Sequence, residues 1–114
     1  EIDAAAVQVY NEQVDDLLHP EHGDGAGANL GVQNGGVIPN VTWARCEEPE
    51  EVLDAFDRAR ANLVYAETKM NKASSRSHAV FQFRITRRSW VLGINGGSQR
   101  VECRRSRLTV IDLA

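Results

Sequence analysis

Cysteine is scarce: Cys46 and Cys103 are the only two, too few for a disulfide framework and without the Cys-x-x-Cys spacing of a zinc site. Both read as reduced, small apolar residues. Long apolar runs are also missing. Nothing approaches the roughly 18 consecutive apolar residues of a membrane helix, and the acidic start "EIDAAAV" lacks the basic flank of a signal peptide. The expectations are no membrane and a place in the cytoplasm. Histidine is sparse as well. His19 and His22 sit beside Glu21 and Asp24, but "LHPEHGD" reads as a turn with no further ligand, so no metal centre is expected there.

What is present fits one small globular domain: 114 residues, 42% hydrophobic and 25% charged. The net charge of −3 hides a division. Residues 1–67 carry 14 acidic and 3 basic side chains, and residues 68–114 carry 2 acidic and 10 basic, giving −11 and +8. Such a split implies either a polyanionic partner for the second half or attraction between the halves.

Alternation through Val7 and Val9 predicts a first strand, and the spacing of Val14, Leu17 and Leu18 predicts a short helical turn after Asn11. Residues 19–29 read as a loop with three glycines and a proline. "NLGVQ" and "NVTWAR" are two short strand candidates around "NGGVIP". The next segment predicts a helix opening at Pro49, whose missing N–H costs nothing at a first helical position. Val52, Leu53, Phe56, Ala59 and Leu63 form its apolar stripe. A strand from Val80 to Trp90 follows, then a hairpin tip at Asn95 to Gly97 and a return strand, "SRLTVIDLA". Leu108, Val110, Ile111 and Leu113 give that return strand the pattern of burial on both faces.

Two features in this second half carry candidate chemistry. Asp112 closes an apolar strand, the place where a carboxylate can hydrogen-bond water coordinated to Mg²⁺, although one such acid is more often a cap or turn former. "NKASSRSH", Asn71 to His78, gathers three serines, an arginine and a histidine ahead of a strand. Serine hydroxyls can donate to phosphate or water and ligate a hard cation through oxygen. They can equally satisfy backbone groups in an ordinary turn, and His78 can be a packed residue at a strand entry.

Three segments taken in order sharpen this. "VYNEQVDDLL" (Val9 to Leu18), "NKASSRSH" and "VIDLA" (Val110 to Ala114) resemble signature stretches of the kinesin motor domain. The serine block matches every fixed position of the switch I motif Asn-x-x-Ser-Ser-Arg-Ser-His, and "VIDLA" is similar to the start of switch II, Asp-Leu-Ala-Gly-Ser-Glu. The helix with "PEEVLDAF" resembles the one preceding switch I, so the resemblance spans the chain. It implies an α/β fold: part of a P-loop nucleoside triphosphatase, with a mixed β-sheet, one long helix and a β-hairpin. It implies ATP and Mg²⁺ as cofactors, microtubules and the remainder of a motor domain as partners, and the cytoplasmic cytoskeleton as location. Residue by residue, Asn71, Ser74 and Ser75 would bind nucleotide, with Ser75 reaching Mg²⁺ and the γ-phosphate and Ser74 helping to place the attacking water. Arg76 would pair with the switch II glutamate, and Asp112 would hold a Mg²⁺ water.

The resemblance also defines gaps. No Gly-x-x-x-x-Gly-Lys-Ser/Thr phosphate loop occurs in these residues. The switch II glycine and glutamate, the later microtubule-binding helices and the neck are likewise not among them. The expectation is a partial motor domain, residues 1–114, that does not hydrolyse ATP by itself. Kinesins usually carry arginine where this chain has Leu63. Two other readings compete: a non-catalytic kinesin-like module that binds tubulin or another partner, and a nucleic-acid binder built on the arginines around the hairpin. Arginine clusters are more often solvated faces, which ranks nucleic acid last.

Overall fold

Three consecutive alanines stand at the centre of the sheet. In the computed structural model, which describes residues 1–19, 30–69, 77–93 and 99–113, Ala4 to Ala6 lie in the middle of strand β1 (Ile2–Tyr10). Successive side chains of a strand point to opposite faces, and here both faces are covered. Ala4 and Ala6 meet helix α1 (Pro49–Lys69) in a cluster with Leu17, Ala55, Ala59 and Phe81. Ala5 and Val7 pack with Val41, Trp43 and Ile38 on the other side. Small side chains let the helix and the loop segment approach the same strand closely.

The remaining strands are β2 (Gln13–Asp16), β3 (Ala44–Cys46), β4 (His78–Leu92) and β5 (Gln99–Asp112). The sheet runs β2-β1-β4-β5, with β3 also paired to β1. One edge of β1 is divided between two partners: Val7 to Tyr10 pair with β2, and Ile2 to Ala4 pair with β3. Every pairing among the described residues is antiparallel.

The helical turn expected after Asn11 is instead β2. Asn11 and Glu12 have φ of 49° and 62°, the left-handed pair that a two-residue hairpin loop needs to match strand twist, so the chain reverses and Val14 pairs with Val9. The apolar spacing that mimicked a helix arises because the strand ends at Asp16, after which Leu17 donates its N–H to the Ala6 carbonyl and enters the α1 side of the core. Glu12 is the less suitable residue of the pair, since left-handed backbone costs a side chain with a Cβ about 1 kcal/mol. Glu12→Gly is expected to raise stability by about 0.5 kcal/mol, read as a higher urea midpoint at unchanged slope.

The two strands expected around "NGGVIP" are mostly absent. A bridge between Gln33 and Val37 closes a short 3-10 turn at Asn34–Gly36, where Gly35 and Gly36 hold φ of 79° and 75°. Regular pairing resumes only at Ala44, because β1 offers β3 just three residues of free edge. Helix α1 begins at Pro49 as expected. Glu51 accepts the backbone N–H groups of Glu47 and Glu48, which satisfies exposed donors at the helix start and holds its carboxyl below the usual range. The buried stripe is Val52, Ala55, Ala59 and Leu63, with Phe56 stacked on Phe81 at 5.0 Å. Leu53 is not part of it and is 63% exposed, because the helix turns it one residue past the contact line.

Strand β4 runs two residues beyond the expected Trp90. Its hairpin with β5 stays in register to Leu92 and Gln99, while the tip at Asn95 to Gly97 lies outside the described residues. Strand β1 accompanies β4 only as far as Ile85. Beyond it, residues 86–92 and 99–105 continue as a two-stranded ribbon, tied to the sheet at its base by backbone hydrogen bonds between Thr86 and Glu1. The expectation that the return strand is buried on both faces is overturned: Leu108, Val110 and Ile111 are 53%, 48% and 55% exposed. The cause is position, since β5 is the outermost strand of the described sheet and α1 sits over β1.

Candidate functional site

Asn71, Ser74, Ser75 and Arg76 lie outside the described residues, but what flanks them does not. Helix α1 leads to Lys69 on one side. On the other, Ser77 is buried and His78 opens β4 opposite Val9 of β1. Asp112, the last residue of β5, stands opposite Ala79. Ser77 and His78, the last two residues of the serine block, therefore sit at the same sheet end as Asp112, although they are far apart from it in sequence.

Register extends this into a row. Asp15, Gln8, Ala79 and Asp112 are successive partners across β2, β1, β4 and β5. Directly paired residues share a face, and Ala79 belongs to the cluster under α1, so the row faces the helix side. Asp112 is exposed at its outer end. With strands about 4.8 Å apart, the Gln8 and Asp112 backbones are about 10 Å apart.

Gln8 is a member of this row that sequence reasoning missed. Nothing in "VQV" marks it as buried, yet it lies on the face of β1 that α1 covers and is 0% exposed. Neither its amide oxygen nor its amide nitrogen has a hydrogen-bond partner among the described residues. A buried, unsatisfied amide costs about 1–3 kcal/mol. Gln8→Met keeps the side-chain length and removes both polar atoms, so unfolding free energy is expected to rise by about 1–2 kcal/mol in a denaturant titration.

Asp16 was missed too, hidden in an acidic pair with Asp15. It is fully buried, and its carboxylate accepts the N–H of Leu18 at 2.9 Å and of Thr42 at 2.7 Å. It thereby ties the end of β2 to the segment that leads into β3. Nearby, Asn62 of α1 donates its side-chain amide to the Leu17 carbonyl at 2.7 Å. Leu63, next along the helix, is half-buried against the core cluster. At the position where the resemblance expects arginine, this chain makes an apolar contact.

Among the described residues no group of three His, Cys, Asp or Glu side chains could hold a metal ion, and no helix is long and apolar enough to cross a membrane. The expected turn with His19 falls largely outside them: His19 is described, whereas Glu21, His22 and Asp24 are not. Cys46 is buried, and desolvation, reinforced by Glu51 and Asp3, pushes its thiol pKa up, so it stays protonated and unreactive. Asp112 is an exposed carboxylate at a strand end, a hard-oxygen donor of the kind that suits Mg²⁺ keeping several of its waters.

Comparison with known proteins identifies the frame. Residues 1–114 match the kinesin motor domain family. The mouse kinesin-like protein KIF18A is 34% identical over 108 residues, 95% of this chain and 11% of that protein. The rice (Oryza sativa subsp. japonica) kinesin-like protein KIN-12G is 35% identical over 112 residues, covering 95% of this chain and 8% of its own length. Among solved structures, one of a fast kinesin, described for its ATPase mechanism and interactions with microtubules, superposes with a TM-score of 0.78 at 25% identity. That match covers 99% of this chain and 29% of the solved one. The chain thus spans only a small part of the proteins it matches, and its sheet, long helix and hairpin are part of their P-loop triphosphatase fold. A family match that runs the whole length, with relatives 34% and 35% identical over 95% of these residues, makes this chain a member of the kinesin motor domain family.

Proposed function

We propose that this chain is the switch-bearing portion of an ATP-driven microtubule motor, working in the cytoplasm on the cytoskeleton. The observation that carries the reading is the pairing of Asp112 with Ala79, which sets a carboxylate beside the point where the serine block enters β4. In this reading the side chains of Asn71 and Ser74 bind phosphate oxygens, and the Ser74 hydroxyl orients the attacking water. Ser75 and Asp112 hold Mg²⁺, the aspartate through a coordinated water. The bound ion would neutralise charge developing on the transferred phosphoryl group. Arg76 closes the site by pairing with a switch II glutamate that lies, like the phosphate loop, in residues beyond these 114.

The chain is accordingly a partial motor domain with no ATP turnover of its own. The test compares it with the complete protein that contains it. Microtubule-stimulated ATP hydrolysis is expected from the complete protein and none from residues 1–114. Turnover by the 114-residue chain that Ser75→Ala abolishes would overturn the division of labour proposed here. The half-buried Leu63 favours a second reading, a non-catalytic kinesin-like module that binds tubulin or another partner. A complete protein that pellets with microtubules yet shows no nucleotide turnover would establish it.

A further inference from the structure

The part of the β4–β5 hairpin that leaves the sheet is unusually cationic, and its charges are not all answered. Some arginines take carboxylates: Arg84 pairs with Asp3 at 3.3 Å, and Arg45 and, near the base of the ribbon, Arg88 pair with Glu1 at 2.5 and 2.8 Å. Along the ribbon, Arg104 pairs with Glu102 at 3.0 Å while remaining 78% exposed. Arg87, Arg100 and Arg105 are exposed and have no carboxylate partner among the described residues.

Register divides these groups between two faces. Arg87 stands opposite Arg104, Ser89 opposite Glu102, and Val91 opposite Arg100, all on one face. The other face carries Arg105 opposite Thr86, Arg88 opposite Cys103, and Trp90 opposite Val101. Two like charges directly across an antiparallel pair repel. Arg87 and Arg104 are such a pair; Glu102 on the same face answers Arg104 at 3.0 Å, which leaves Arg87 and Arg100 as the cations of this face that a further carboxylate would meet in charge-assisted hydrogen bonds. Arg100 lies two rows further along the same face, and the seven residues from Thr86 to Leu92 span about 23 Å.

We propose that this face of the ribbon, formed by Arg87, Arg104 and Arg100, docks an extended, acidic polypeptide segment. Carboxylates are the ligands that Arg45, Arg84 and Arg88 already hold, and an extended segment of about seven residues matches the ribbon in length. Nucleic acid fits less well. Single-stranded binding relies on aromatic platforms for bases, and the ribbon's exposed aromatic, Trp90, is on the opposite face. None of these residues belongs to the nucleotide-binding set, so the inference stands or falls apart from the motor reading.

The test uses the full chain and a fluorescein-labelled glutamate-rich peptide without aromatic residues, followed by anisotropy at low ionic strength. A glutamine version of the peptide and a thymidine oligonucleotide of equal net charge serve as comparisons. The glutamate peptide is expected to bind and the glutamine peptide not to. Arg87→Gln with Arg100→Gln should weaken binding about fivefold or more, since an exposed ion pair contributes a factor of about two to five. Arg105→Gln, on the other face, should leave binding unchanged, and circular dichroism of each variant confirms that the fold is kept. Absence of peptide binding, equal losses from the two faces, or an oligonucleotide bound as tightly as the peptide would each overturn the assignment.

Discussion

Ser75→Ala is expected to lower microtubule-stimulated ATP turnover of the complete motor by about a hundredfold or more, the scale of removing one group aimed at developing charge. The hydroxyl proposed for this position has two tasks that alanine cannot share: it ligates the cation and meets the γ-phosphate. A loss in turnover with nucleotide affinity largely kept would mark an interaction made mainly in the transition state. A loss of affinity with turnover kept would mark a binding role only. Ser77 provides the contrast. It is buried at the strand entry rather than within the phosphate-facing set, so Ser77→Ala should act on stability before it acts on turnover. If Ser75→Ala left hydrolysis intact, the transfer of switch I chemistry to this chain would fail.

Asp16→Ala should destabilise the chain by about 3–5 kcal/mol, measured from urea unfolding. The carboxylate is fully buried and accepts two backbone N–H groups, from Leu18 and Thr42. Hydrogen bonds to a charged acceptor are worth about 1.5–3 kcal/mol each, and truncation leaves both donors without an acceptor in a site closed to water. The Thr42 bond joins parts of the chain 26 residues apart, so its loss should also loosen the segment that packs Val41 and Trp43 over β1. Asp16→Asn separates charge from shape, because the amide oxygen can serve one donor while its NH₂ faces the other. An intermediate loss is expected. A change below about 1 kcal/mol for Asp16→Ala would show that water replaces the carboxylate and that the tie is not structural.

How much of this was legible in the sequence depended on how local the cause was. Helix α1 was readable from Pro49 onward because capping, acidic first-turn residues and a periodic apolar face all act within a few residues. Strands β4 and β5 were readable from alternation and a glycine-rich turn. The β1–β2 hairpin was not. Its loop, Asn11 and Glu12, contains no glycine although both residues adopt positive φ, and the apolar spacing of Val14, Leu17 and Leu18 imitates a helix. The exposure of β5 was hidden for a different reason: an apolar run records the neighbours a strand is suited to meet, whereas exposure depends on the neighbours it has. Among candidate site residues, Asp112 was placed correctly at a strand end, while Gln8 and Asp16 gave no signal because tertiary packing alone made them buried.

The division of β1's pairing also has a meaning in time. Its contacts with β2 lie within one tight hairpin, but Ile2 pairs with Ile85 and Val9 with His78. At about 5–20 residues per second, a ribosome needs roughly 4–16 s to make the intervening chain. For that interval the alanine-rich strand is held by a hairpin on one edge and bare on the other. Contacts so distant in sequence form slowly even in a finished chain, and an unpaired strand is the part of a nascent protein most open to wrong partners. The strand at the centre of the sheet thus emerges well before the strand that encloses its second edge.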